Sequence, residues 1–164
     1  MKLSSCSRLL TAGLVLSGAA FAQGDECGDA TTIATDTPTA FDTSAATPSM
    51  PEFTPSCGAG GGSTTSNDVW FKFTSAGDYT ATATTCGTAA YDTKIEIYSG
   101  SCGALVSVGC NDDTAGCSGF TSQADFAAVT GTEYFIRIGG WSATDAGAGD
   151  ILLTDVPPPA LPND

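Results

Sequence analysis

"TKIEIYS", residues 93–99, is the stretch that decides the fold class. Ile95 and Ile97 alternate with more polar residues, so that the two isoleucines share one face of an extended chain. The same alternation occurs in "DVWFKFT" (68–74) and in "EYFIRIGG" (133–140). We therefore predict three strands, each of which turns one apolar face toward a hydrophobic core.

Six further short segments have the composition of strands and are bounded by turn residues, while helix-forming residues are scarce. They are "ATTIATD" (30–36), "AFDTSA" (40–45), "DYTATATT" (78–85), "ALVSVG" (104–109), "TSQADFAA" (121–128) and "DILLTDV" (150–156). Nine strands are too many for one open sheet in a domain of this size. The sequence therefore predicts an all-β fold, a jelly-roll-like antiparallel β-sandwich of two sheets with about nine strands.

The alternation also predicts the core and two hairpins. The residues expected on the inner faces are Val69, Phe71, Phe73, Ile95, Ile97, Val106, Val108, Phe126, Tyr134, Ile136, Ile138, Ile151 and Leu153. Strands 68–74 and 78–85 are predicted to pair around "SAGD", and strands 93–99 and 104–109 through "SGSCG". The segment 47–66, rich in proline and glycine, is expected to be a long loop held by Cys57.

The first 22 residues have the features of a secretory signal peptide. Lys2 and Arg8 precede an apolar run, and the small residues Ala20 and Ala22 form a cleavage motif. We predict cleavage after Ala22 and secretion of the protein to the extracellular space. No later stretch is long and apolar enough to span a bilayer, so membrane insertion is not expected.

Two boundaries complete the predicted domain organisation. Residues 23–156 form one β-sandwich domain, a length that suffices for a substantial core. Residues 157–164, "PPPALPND", form a stiff Pro-rich tail or linker.

The predicted mature chain is strongly acidic. It keeps three cations, Lys72, Lys94 and Arg137, against 18 acidic residues, which gives a formal net charge of −15. Such a surface repels phosphate groups, so that nucleic acid and anionic membranes are not expected partners. The expected partners are an extracellular protein or polysaccharide and divalent cations, although a solvated acidic face has the same composition.

Six cysteines follow the predicted leader: Cys27, Cys57, Cys86, Cys102, Cys110 and Cys117. An even number in an exported chain indicates disulfides, with 15 conceivable pairings. A bridge between Cys102 and Cys110 would span a whole strand and is excluded. A bridge between Cys110 and Cys117 is feasible, and the other pairings stay open. Zinc is disfavoured because the chain has neither a histidine nor a close Cys-x-x-Cys pair.

The residue types also argue against catalysis. Without histidine there is no Ser-His-Asp or Cys-His arrangement, and a thiol nucleophile would have to escape disulfide pairing. Paired carboxylates that act as acid and base need an apolar cleft that separates their pKa values, whereas these acids lie in turns. We therefore predict a protein that is not an enzyme.

Four residues form a candidate metal site: Asp92, Asn111, Asp112 and Asp113. Asp92 comes just before strand 93–99, and the other three follow the strand that returns beside it, so the hairpin brings them to one end of the sheet. Their oxygens suit calcium, which takes six to eight oxygen ligands. The alternative is an ordinary Asn-Asp-Asp turn in which the side chains bond to the backbone.

Exposed aromatic side chains form a second candidate site. Trp141 in "GGWSATD", together with Tyr91, is a candidate platform for sugar rings, and this would make the protein a carbohydrate-binding module. In the alternative, Trp141 plugs one end of the sandwich. For Trp70 we expect a structural role, sealing the sheet against the long loop.

The motifs "NDVWFKFT", "TATTCG", "YDTKIEIYSGSCGALVSVGCNDD", "GTEYFIRIGGW" and "GDILLTDV" occur in this order between residues 25 and 156. In this respect the chain resembles the bacterial pre-peptidase C-terminal domain and its repeat-forming relatives in secreted proteins. The resemblance implies a β-sandwich appended to, or repeated within, a larger extracellular protein. It also implies accessory, adhesion or substrate-binding roles and, in some members, calcium binding. A weaker similarity, through "YDTKIEIYSG", is to CUB domains, which use such an aspartate in calcium-dependent partner binding.

Overall fold

A computed structural model describes residues 24–55, 57 and 64–156. The predicted signal peptide, the predicted tail and part of the loop 47–66 lie outside these residues.

The described residues form nine strands and two short 3-10 helices, Cys27–Asp29 and Ser118–Phe120. The strands are β1 (Thr31–Thr32), β2 (Thr39–Asp42), β3 (Asp68–Thr74), β4 (Tyr79–Thr84), β5 (Thr93–Ser101), β6 (Ala104–Asn111), β7 (Gln123–Ala128), β8 (Glu133–Gly140) and β9 (Ala148–Val156). Each of the nine predicted segments overlaps one of these strands, which confirms the all-β prediction.

The strands form two sheets, ordered β1-β3-β8-β5-β6 and β2-β9-β4-β7. All pairings are antiparallel except that of β1 with β3. From β2 onward the chain alternates between the sheets at every step but β5 to β6, and this produces a jelly-roll order. The predicted two-sheet sandwich is therefore confirmed.

One of the two predicted hairpins is wrong. β3 and β4 lie in different sheets, because β3 pairs with β1 and β8 while β4 pairs with β7 and β9. The turn at residues 75–78 carries the chain across the core instead of along one sheet. It still reverses the chain direction, so the start of β3 and the end of β4 lie at the same end of the sandwich. The predicted hairpin of β5 and β6 is confirmed.

The core lies between the sheets and contains nearly all the residues that alternation predicts. Buried there are Val69, Phe71, Phe73, Ile95, Ile97, Phe126, Tyr134, Ile136, Ile138, Ile151 and Leu153. The prediction is wrong for Val106 and Val108, which are 61% and 39% exposed. β6 is the edge strand of its sheet, and a bulge opposite Ile97 and Tyr98 leaves Val108 without a cross-strand partner.

Much of the outer face of β3, β8 and β5 is also buried, beneath the N-terminal residues Cys27 and Ala30 and a segment that we call the covering loop (residues 47–55 and 57). Trp70 is fully buried there and packs with Tyr98 and Phe135. Its indole Nε1 donates a hydrogen bond of 2.7 Å to Ser49 Oγ in the covering loop. The predicted sealing role of Trp70 is therefore confirmed.

A buried ion pair joins the covering loop to the sheet. Arg137 Nη2 lies 2.7 Å from Asp68 Oδ2, and both side chains are fully buried. Ser49 donates to both carboxylate oxygens of Asp68, and Arg137 donates to the carbonyls of Ser49 and Pro51. The Arg137 guanidinium also lies 3.9 Å from the centroid of the Phe53 ring. These bonds compensate the two charges for their loss of water.

All six described cysteines are paired, as Cys27–Cys102, Cys57–Cys110 and Cys86–Cys117. The Cys110–Cys117 bridge, which the sequence left feasible, does not form, because the covering loop brings Cys57 to the end of β6 and Cys117 pairs with Cys86 after β4. The excluded Cys102–Cys110 bridge is indeed absent. Three disulfides in a small domain fit an oxidising, extracellular compartment.

Among the described residues, no helix has the length and apolarity needed to cross a membrane.

Candidate metal centre

Two neighbouring strands, β5 and β6, bring acidic side chains to one end of the sandwich. Asp92 immediately precedes β5, and Asp112 and Asp113 immediately follow β6. The antiparallel register places Ile95 opposite Asn111, so the two connections meet. One carboxylate oxygen from each of Asp92, Asp112 and Asp113 lies within 4.8 Å of the others. We call these three residues the acidic triad.

The triad carboxylates are partly withdrawn from water. Asp112 is only 2% exposed, and Asp92 and Asp113 are half-buried. The Oδ1 atom of each is buried, with no hydrogen-bond partner among the described residues. Buried carboxylate oxygens are costly unless a hydrogen bond or a cation compensates them. The arrangement therefore favours a ligand that carries positive charge.

The electrostatics of the triad point the same way. Burial, followed by the charges of Asp113, Asp112 and Asp145, raises the pKa of Asp92 to about 6. Burial also raises the pKa of Asp112, although the Lys94 ammonium opposes this shift. Like charges held this close repel one another, and a divalent cation between them would remove the repulsion.

A buried cluster of hydroxyl groups supports the loop that carries Asp112. The single hydroxyl proton of Ser122 is shared between the carbonyls of Asp112 and Thr93, and the Thr93 oxygen lies 2.5 Å from Ser122 Oγ. Thr85 Oγ1 and Thr93 Oγ1 lie 2.6 Å apart, and the Ser122 amide donates to both. All three side chains are fully buried. This cluster fixes the backbone of Asp112 relative to the start of β5.

Asn111, the fourth predicted ligand, has hydrogen bonds of its own. Its side-chain oxygen accepts from Thr114 Oγ1 at 2.8 Å and from the Gln123 amide at 3.4 Å. Asn111 thus stabilises the turn that presents Asp112 and Asp113. Disulfides flank the same turn, because Cys110 is bound to Cys57 and Cys117 to Cys86.

Trp141 lies beside the triad. Its amide donates a hydrogen bond of 3.2 Å to the carbonyl of Asp92, and its side chain is 41% exposed. The loop of residues 141–147 then turns back, and the carbonyl of Asp145 packs so closely on Gly140 that any side chain at position 140 would collide with it. Asp145, which sequence reasoning missed, thereby comes near enough to Asp92 to raise its pKa.

Tyr91 presents less of its ring to solvent than Trp141. It is half-buried, packs in part against the core and contacts Gly147. Its hydroxyl accepts a hydrogen bond of 3.1 Å from Thr43 Oγ1, and burial raises the pKa of the phenol. Of the two aromatic residues predicted to bind a ligand, Trp141 has the more accessible ring.

No protein-family model matches the chain, and the searches of curated proteins and of solved structures returned no match. The similarity to pre-peptidase C-terminal domains and to CUB domains stays a prediction from the motifs quoted above.

The raised pKa of Asp92 predicts an unusual pH dependence of the metal-free protein. An aspartate with a folded-state pKa of about 6, against an ordinary value of 3.8, binds its proton more tightly when the protein is folded. Its contribution to stability is therefore fully present below about pH 4 and is lost as the pH rises through about 6. In urea titrations with chelator, the stability of wild type relative to Asp92→Asn should fall over this window. A flat difference would contradict the prediction.

Proposed function

We propose that the protein is a secreted, noncatalytic accessory or adhesion module that binds one calcium ion at the acidic triad. The observation that supports this most strongly is the meeting of three carboxylates whose buried Oδ1 atoms have no hydrogen-bond partner among the described residues. Folding brings these charges together from two connections, and the bound ion offsets the resulting repulsion.

The donor set favours calcium over other metals. Zinc and copper prefer imidazole or thiolate ligands, but the chain has no histidine and the described cysteines are all in disulfides. Magnesium demands near-octahedral geometry and keeps several waters. Calcium accepts three carboxylates, mono- or bidentate, and completes its six to eight ligands with carbonyls or water.

A binding role suits the rest of the chain. The absence of histidine removes the imidazole base of Ser-His and Cys-His hydrolases, and the pairing of the described cysteines removes their thiols as nucleophiles. The resemblance to pre-peptidase C-terminal domains supports an accessory module within a larger extracellular protein. Its expected partner is an extracellular protein or polysaccharide. The exposure of Trp141 supports a second candidate function, that of a carbohydrate-binding module.

Calcium should stabilise the folded protein. An ion that binds only the folded state at 100 times its dissociation constant adds about 2.7 kcal/mol to the free energy of unfolding. We expect the melting temperature to rise when calcium replaces chelator, and we expect Asp113→Asn to remove most of the rise. Differential scanning calorimetry measures both effects.

The matched control is Glu133→Gln. Glu133 is exposed at the start of β8, at the opposite end of the sandwich, and its replacement removes the same charge. This variant should keep the full response to calcium. A melting temperature that is the same in calcium and in chelator would remove the metal site from the proposal.

A further inference from the structure

Trp141 and the acidic triad are held together by the backbone. The hydrogen bond from the Trp141 amide to the Asp92 carbonyl ties the residue after β8 to the residue before β5. Because β8 and β5 are neighbours in the sheet, this link fixes Trp141 at the same end as the triad. Trp141, which is 41% exposed, thus lies across from Asp92 at the end of the sheet that carries the candidate cation site.

The triad alone does not complete the ligand shell of calcium. Three carboxylates supply between three and six oxygens, whereas calcium takes six to eight. The remaining positions go to water or to oxygens of a bound molecule. A molecule that supplies two neighbouring oxygens and an apolar face would contact both the ion and the indole. Adjacent hydroxyl groups on a pyranose ring meet this description.

The charge of the protein restricts the kind of sugar. The predicted mature chain has 18 acidic residues against three cations, and Asp145, whose backbone packs on Gly140 at the same end of the sheet, adds a further acidic residue there. The negative potential of the protein would repel an anionic uronate or sulfated glycan, whereas a neutral sugar would not be repelled. The chemistry of the site therefore selects a neutral glycan.

We propose that the acidic triad and Trp141 form one composite site, in which calcium binds two adjacent hydroxyls of a neutral sugar and the Trp141 indole packs on the face of the same ring. The inference rests on the proposed calcium site and adds the class of ligand that the site takes. The composite site makes glycan binding dependent on calcium. An aromatic platform alone would bind the glycan without calcium.

Affinity electrophoresis in gels containing β-glucan, xylan, mannan or galactan tests the proposal. At least one of these neutral polysaccharides should retard the protein in calcium and not in chelator. Trp141→Ala should weaken the binding by tenfold or more, which corresponds to about 1.4 kcal/mol, and should leave calcium binding measured by calorimetry unchanged. Asp113→Asn should abolish both. Val129→Ala, an exposed position after β7 at the opposite end, is the control and should change neither.

Each other outcome has a defined meaning. Calcium binding without retardation by any neutral polysaccharide would overturn the composite site and leave the proposed function intact. Retardation that persists in chelator, or that occurs only with polygalacturonate, would also overturn it. A protein that binds no calcium would overturn both proposals.

Terbium, a luminescent substitute for calcium, tests the proximity of the two groups without any sugar. Emission excited through tryptophan requires an indole close to the ion. We expect terbium emission from the wild type that calcium abolishes by competition, and we expect a large loss in Trp141→Phe. Equal emission from Trp141→Phe and wild type would place Trp141 away from the ion and contradict the proposal.

Discussion

Replacement of Asp68 by alanine should lower the free energy of unfolding by about 3–5 kcal/mol. The substitution removes the partner of Arg137, whose guanidinium is fully buried and cannot recover its charge compensation from water. It also removes the acceptor of two hydrogen bonds from Ser49 in the covering loop. Urea denaturation monitored by the fluorescence of Trp70, which bonds to the same serine, measures the loss.

Asp125→Ala is the control for this prediction. Asp125 is exposed on β7 and accepts a hydrogen bond of 2.6 Å from Thr82, but it has no buried counter-charge. Its replacement should cost about 1 kcal/mol or less. If Asp68→Ala costs no more than Asp125→Ala, the buried ion pair does not hold the covering loop.

Removal of the Cys57–Cys110 disulfide should have an effect of similar size. The bridge closes a loop of 53 residues, for which chain entropy predicts a loss of about 4 kcal/mol in the Cys57→Ala, Cys110→Ala double variant. Cys110 also immediately precedes the turn that carries Asp112 and Asp113. The double variant should therefore bind calcium more weakly, as isothermal titration calorimetry would show.

Removal of the Cys27–Cys102 bridge is the control that separates the loss of stability from the loss of calcium affinity. This bridge closes a loop of 75 residues, and Cys102 lies in the turn between β5 and β6, at the end of the sandwich opposite the triad. Its removal should destabilise the fold by a comparable amount, about 4.5 kcal/mol, and leave calcium affinity unchanged. Equal loss of calcium affinity in both double variants would show that general destabilisation, and not the local bridge, sets the affinity.

The strands and the core could be predicted because alternation is a local property of the sequence. Each inward-facing isoleucine of β5 and β8 is evident from its immediate neighbours. Strand pairing is not local, and the turn "SAGD" has nothing that distinguishes a hairpin from a crossing between sheets. β6 shows that alternation alone does not always identify core residues. Its valines alternate like core residues, but the strand lies at a sheet edge and contains a bulge.

The candidate site also combines features that could be predicted from the sequence with features that could not. The triad was predictable because the hairpin of β5 and β6 is short and places Asp92 near Asp112 by its own geometry. Three other features were not predictable: the support of Asp112 by Ser122, the approach of Asp145 to Asp92, and the bridge from Cys57. Each joins segments that only the complete sandwich brings together. The composition around Ser122 resembles that of many other Ser- and Thr-rich stretches of the chain.

Isothermal titration of calcium into the metal-free protein tests the acidic triad most directly. The triad predicts one binding event per chain, absent from the Asp112→Asn, Asp113→Asn double variant and retained in Glu133→Gln. Absence of binding to the wild type at millimolar calcium, or an unchanged isotherm in the double variant, would contradict the assignment of this end of the sandwich as a metal centre.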